Sequence, residues 1–125
     1  MQLDALNEFA FEDSDQQPHV YDHNGAVVIE LRGEIDLLAY QRMAPLIDPI
    51  TGGTAPTVVI DLTRTTFFDC SGIAILSRAH RRTTARGAHF SVVCTHRLTL
   101  RILRLTGLTP TLLPVPTLAK ALAEE

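Results

Sequence analysis

One uninterrupted apolar run, Thr57-Val58-Val59-Ile60-Asp61-Leu62, limits the folds open to this chain. A strand with one wet face alternates apolar and polar residues, whereas a run apolar at nearly every position is buried on both faces and belongs inside a mostly parallel sheet. Parallel strands need helical crossovers, and the flanking segments supply them. Upstream, Ala39, Met43, Leu46, Ile47 and Ile50 recur at helical spacing. Asp36 is placed to cap that helix. Pro45 inside the stripe predicts a kink or a split, and Pro49 with Gly52-Gly53 predicts its end. Downstream, Thr65–Asp69 reads as a loop, and Ser71-Gly72 opens a second helix. That helix places Ile73, Leu76, Ala79 and Thr83 inward and Arg78, Arg81 and Arg82 outward, and Gly87 closes it.

The remaining segments extend the alternation. Val20–Asp22 and Ala26–Leu31 flank Asn24-Gly25, a pair that tolerates positive φ and so marks a tight hairpin. Gly33-Glu34-Ile35-Asp36 then breaks the second strand. Phe90–Cys94 is the next strand. Leu98, Ile102 and Leu105 form the inward stripe of another helix, with Arg97, Arg101 and Arg104 opposite and Gly107 at its end. Leu112–Val115, bounded by prolines, reads as a short edge strand, and Leu118, Ala119 and Leu122 line a terminal helix. The order β-β-α-β-α-β-α-β-α predicts one α/β domain, a mixed, mostly parallel sheet of four to five strands with about four helices packed on it. That domain covers residues 18–125, and residues 1–17 form an acidic N-terminal tail, expected to be flexible because termini are ordered only when docked.

Composition excludes several classes of protein. A chain of 125 residues, 46% hydrophobic and 20% charged, fits one globular domain with no need of a metal or disulfide. Cys70 and Cys94 form neither a metal pattern nor a framework, and two free thiols in a reducing compartment is the reading adopted. No secretory signal or membrane-length apolar stretch is present, so a cytoplasmic protein with no membrane association is expected. The net charge of −3 hides a segregation. Residues 1–36 carry nine acidic groups against Arg32, while residues 64–104 carry eight arginines against Asp69. Those arginines are either a solvated face or a docking field for an acidic surface. With one lysine and 6% aromatics, direct nucleic-acid binding is not expected.

The informative stretch is Phe67-Phe68-Asp69-Cys70-Ser71-Gly72, a loop leading from a buried strand into a helix start. Such a start presents unpaired N–H groups, so it serves as a cap, and it also favours an anion, a phosphate or a thiolate. Phe68-Asp69-Cys70-Ser71-Gly72-Ile73, preceded by Val58–Leu62, resembles the signature of the STAS domain of bacterial anti-sigma factor antagonists. Gly33-Glu34-Ile35-Asp36 resembles that family's earlier motif and Leu105-Thr106-Gly107-Leu108 its late one, in the family's order over roughly residues 18–124.

The resemblance implies a protein that binds an anti-sigma factor, often a serine-kinase-like ATPase, and so frees a sigma factor to regulate transcription. In the family that kinase phosphorylates a serine directly after the motif's aspartate, which releases the partner. Here the position after Asp69 is Cys70, and Ser71 is the nearest hydroxyl, about 100° further around the helix. Three readings stay open: an unswitched binder with Cys70 as a small hydrophobe, phosphorylation at Ser71, or Cys70 as a sensor thiol. The partner-binding residues implied are Gly33, Glu34, Asp36, Phe68, Asp69, Cys70, Ser71, Gly72 and Ile73. No catalytic residue, metal or cofactor is expected, and the protein is taken as a monomer or weak dimer. A STAS scaffold subunit of a larger signalling complex is the alternative. A phospho-acceptor receiver fits poorly because the only lysine, Lys120, lies in the terminal helix. A cysteine hydrolase fits poorly too, since His80 lies roughly 15 Å along the helix from Cys70.

Overall fold

A computed structural model describes residues 17–123. The tail assigned to residues 1–17 therefore lies, apart from Gln17, outside the described residues. In chain order the elements are β1 (His19–His23), β2 (Ala26–Ile35), α1 (Leu37–Thr51), β3 (Thr57–Phe68), α2 (Cys70–Ala85), β4 (His89–Val93), α3 (Arg97–Leu105), α4 (Thr109–Leu112) and α5 (Leu118–Ala123). The four strands form one sheet in the order β1-β2-β3-β4. β1 pairs antiparallel with β2 through a two-residue turn in which Asn24 and Gly25 take φ of 52° and 91°. Both central angles are positive, as a hairpin turn matched to strand twist requires. β2 with β3 and β3 with β4 are parallel, so the mixed sheet and its helical crossovers are as the sequence predicts.

The run Val58–Leu62 is buried on both faces because each face carries its own core. On one, Ile29, Leu31, Val58, Ile60, Leu62 and Val92 pack beneath Met43, Ile47, Ile75, Leu76 and Ala79 of α1 and α2. On the other, Val28, Val59 and Val93 meet Val115 and Ala121, with Leu118 and Leu122 beside them. Successive strand residues point to opposite faces, so the odd and even members of one run serve different layers.

Several expectations need correction. The Thr65–Asp69 loop is strand as far as Phe68, and Gly33–Ile35, expected to break its strand, continues β2 beside it. Gly33, at φ 71°, absorbs a register shift that lets the pairing resume at Glu34↔Phe67 and Ile35↔Phe68. α1 runs unbroken past Pro45 and Pro49 to Thr51. Gln41, Pro45 and Pro49 fall four residues apart on one exposed face, so the carbonyls the prolines leave unbonded point towards water. The edge strand expected at Leu112–Val115 shrinks to one bridge, Val93↔Val115, because α4 occupies Thr109–Leu112. The inward face of α3 is Thr99 and Leu103, and the stripe Leu98, Ile102, Leu105 faces elsewhere.

α1 and α2 are fastened from the last turn of α1 to the second half of α2. Arg78 donates from Nε to Asp48 Oδ1 at 2.8 Å and from Nη2 to Oδ2 at 2.7 Å. Arg82 reaches the same carboxylate at 3.4 Å and donates to the Asp48 carbonyl at 3.0 Å and to Thr51 Oγ1 at 3.1 Å. Arg86 closes the end of the helix by donating to the Thr51 and Ala55 carbonyls, both at 2.7 Å. Of the three outward arginines expected on α2, Arg78 and Arg82 are thus spent on α1, and Arg81 is exposed. The hydrogen bonds from Arg78 hold the Asp48 carboxyl below its usual range, against an opposing push from burial.

A carboxyl depressed on folding stabilises the fold above the ordinary carboxylate value, near 4, roughly, and that contribution fades as pH falls through the lower folded value. Asp48→Asn should therefore lower the melting temperature by a few degrees at neutral pH. It should also flatten the loss of stability below about pH 4, as followed by thermal melts across pH.

Candidate functional site

The site forms where two neighbouring strands leave the sheet together. Ile35 ends β2 directly beside Phe68 at the end of β3, and the Asp69 N–H still donates to the Ile35 carbonyl at 3.4 Å. Each strand then turns into a helix through an aspartate in extended conformation. Asp36 Oδ1 accepts the Ala39 N–H at 2.9 Å, and Asp69 Oδ1 accepts the Ser71 N–H at 2.8 Å. Both carboxylates satisfy N–H groups that a helix start leaves without internal partners. Two capped helix N-termini consequently lie side by side at the carboxyl end of the parallel strands, where open α/β sheets place their ligand sites.

The predicted residues divide by exposure. Glu34 and Cys70 are exposed, Asp36, Asp69, Ser71 and Ile73 are half-buried, and Gly33, Phe68 and Gly72 are buried. The surface from Asp69 to Ser71 is therefore open, over a floor made by Phe68 and Gly72. That floor is tight. A Cβ on Gly72 would sit 2.5–2.7 Å from three atoms of the Phe68 ring. The glycine is thus demanded by close packing of the helix start on the aromatic ring.

Sequence reasoning missed Leu37 and Leu38, and reached Phe67 only as part of the Phe67–Gly72 stretch. They are 61%, 51% and 52% exposed, around the same two strand ends. Exposed apolar side chains beside both strand ends offer area for a partner to cover. A signal was available: Leu37 and Leu38 precede the buried stripe of α1, and Phe67 next to Phe68 must point to the opposite side of an extended chain.

The histidines take other roles. His96 Nε2 lies 3.1 Å from both the Leu62 and Thr63 carbonyls, two acceptors, so this nitrogen carries the proton and donates. His80 packs edge-on against Phe90 at 5.6 Å between ring centres. Among the described residues no group of three or more His, Cys, Asp or Glu could hold a metal ion. Both cysteines are free, Cys70 exposed and Cys94 buried, and burial pushes the Cys94 thiol up from its ordinary value.

The STAS domain family model matches residues 17–121. The chain belongs to the STAS family. Within it, the chain is 32% identical over 103 residues to anti-sigma-F factor antagonist RsfB of Mycobacterium tuberculosis, covering 82% of this chain and 84% of that one. It is 31% identical to anti-sigma-F factor antagonist RsfA of the same organism, covering 81% and 80%. Among solved structures, an anti-sigma factor antagonist from Mycobacterium paratuberculosis superposes with a TM-score of 0.79 at 30% identity, over 90% of this chain and 96% of that one. The parallel core, the hairpin at its edge and the two helix starts are thus a STAS architecture. No helix among the described residues is long and apolar enough to cross a membrane.

Two outcomes check this geometry. Gly72→Ala would gain up to about 1 kcal/mol of helix propensity but force the Phe68 ring aside, an overpacking cost of roughly 1–3 kcal/mol. Denaturant titration should show net destabilisation. In the native protein an aromatic disulfide reagent should label Cys70 promptly and Cys94 only after unfolding, as read by peptide mapping.

Proposed function

We propose that this STAS domain is an anti-sigma factor antagonist, a binding protein without catalytic activity that frees a sigma factor by occupying the anti-sigma factor. The observation that carries this reading is the open surface at the paired helix starts. There Leu37, Leu38 and Phe67 supply apolar contact area around the polar rim of Glu34, Asp69, Cys70 and Ser71. An apolar centre with a polar rim is how protein interfaces are built. Gly33, Phe68 and Gly72 act from beneath, holding that surface in shape, and Asp36 fixes the start of α1. The two mycobacterial relatives are named as antagonists of this kind, which supports the same role.

The partner in this reading is an anti-sigma factor of the serine-kinase-like ATPase class, met in the cytoplasm by a monomer or weak dimer. Residues 18–125 are the binding domain. Cys70 stands where the family's phosphorylated serine is found, exposed on the rim, and the Ser71 N–H is engaged by Asp69. We read the domain as a binder that lacks the usual phosphate release, with Cys70 in the contact.

The test is recovery of the protein from its own cells, with bound chains and modifications identified by mass spectrometry. The expected result is a histidine-kinase-like ATPase, with Ser71 unmodified. A Cys70→Glu variant should bind that ATPase at least about tenfold more weakly, because a second negative charge beside Asp69 opposes docking. Recovery of a large sensory assembly without such an ATPase would overturn the reading, and phosphate on Ser71 would overturn the unswitched form of it.

A further inference from the structure

The outward stripe of α3 has no partner among the described residues. A helix turns about 100° per residue. On α3 this makes three faces: Thr99 and Leu103 into the core, Arg97, Arg101 and Arg104 to solvent, and Leu98, Ile102 and Leu105 between them. Leu98 is 76% exposed and Leu105 73% exposed. Burying one such side chain is worth roughly 1.5–3 kcal/mol, so two leucines held in water across from Phe67 form an unfilled site. With Thr65–Phe68 they wall a groove of about 760 Å³ that Arg97 and Arg101 border. The groove exists because β4 ends opposite Asp61, leaving the later part of β3 paired only with β2 among the described strands, while α3 stands off from the vacant edge.

We propose that this groove is the docking site of the chain's own N-terminal segment, residues 3–12. Three observations choose that occupant. The first is charge: residues 1–16 carry Asp4, Glu8, Glu12, Asp13 and Asp15 and no basic side chain, against the arginine edge of α3. The second is apolar pattern: Leu3, Leu6, Phe9 and Phe11 alternate with those acids, so one face of the segment can fill the space between Phe67 and Leu105 while the acids meet Arg97 and Arg101. The third is reach. β1 is antiparallel to β2, and its first residue His19 pairs with Glu30, itself opposite Asp61. The segment therefore joins the domain at the same end of the sheet as the groove. The groove at Phe67 lies two strand spacings, about 10 Å, across from β1 and four β2 residues, about 13 Å, further along than Glu30, a diagonal of about 17 Å, and the seven residues from Phe11 to Pro18 span up to about 23 Å.

A segment with the composition of a solvated tail thus acts as a tethered ligand. Tethering holds it at a high local concentration, so modest contacts suffice. Phe67 belongs both to this groove and to the helix-start surface, so the bound segment covers part of that surface and competes with any protein docking there. The inference does not depend on the antagonist reading, and its test needs no partner.

The test is amide hydrogen exchange of the full-length chain, wild type against Leu98→Gln/Leu105→Gln and against Arg97→Glu/Arg101→Glu. All four positions are exposed, so the fold should persist, and unchanged exchange of β3 amides would confirm it. Residues 3–12 of the wild type should exchange at least about tenfold more slowly than an unstructured peptide, and both variants should return them to the peptide rate. Added salt should erode the protection as it screens the arginines. Peptide-rate exchange of residues 3–12 in the wild type would overturn the proposal. So would protection that survives both variants, or protection that vanishes on dilution and thus belongs to a second copy.

Discussion

The pairing of β2 with β3 as far as Ile35 opposite Phe68 is the constraint from which the functional surface follows. Because the two parallel strands end level, their chains leave the sheet side by side. Because an aspartate follows each, both become helix caps. Two register shifts, between Glu30 and Arg32 and between Gly33 and Glu34, bring the strand ends level, the second beside Gly33 at φ 71°. A short irregularity in the sheet thereby sets the relative position of Glu34, Leu37 and Leu38 on one chain and Phe67 and Cys70 on the other.

Two further devices keep that surface rigid. Beneath it, Gly72 lets α2 settle on the Phe68 ring at a distance no other residue permits. Further along, Asp48 ties α1 to α2 through Arg78 and Arg82, so the helices that start together remain together. Such a pair, partly screened from water, contributes modestly to stability. Its role is alignment: bidentate geometry fixes the rotation of one helix against the other in a way that apolar packing alone does not. A binding face built from two elements needs that alignment, since a preorganised surface avoids an ordering cost when a partner arrives.

The parts legible in the sequence were those fixed by local chemistry. Asn24-Gly25 specifies its turn by backbone preference, Asp36 and Asp69 specify caps by their side chains, and the run Val58–Leu62 announces burial on both faces. The parts not legible depend on distant partners. Whether Thr65–Phe68 is loop or strand turns on Gly33–Ile35 lying beside it, and nothing within either segment shows that. α3 presents apolar residues over most of its circumference, so periodicity finds the stripe Leu98, Ile102, Leu105 but cannot tell that Leu103 is the one that reaches the core. Pro45 and Pro49 read as helix breakers because each removes a backbone hydrogen bond, and that the face they share is exposed is not visible in the sequence. At the site, the stretch from Phe67 to Ile73 was found, and its apolar surroundings at Leu37 and Leu38 were not, because their contribution is exposure and exposure is a property of the fold.

The central claim is that the paired helix starts are the surface on which a protein partner docks. Amide exchange of the domain, free and bound to the anti-sigma factor recovered with it, addresses that claim most directly. The account predicts slowing concentrated in residues 34–38 and 67–73, with the opposite sheet face around Val115 and Ala121 unchanged. Protection centred on that opposite face, with the helix starts exchanging as in the free protein, would contradict it.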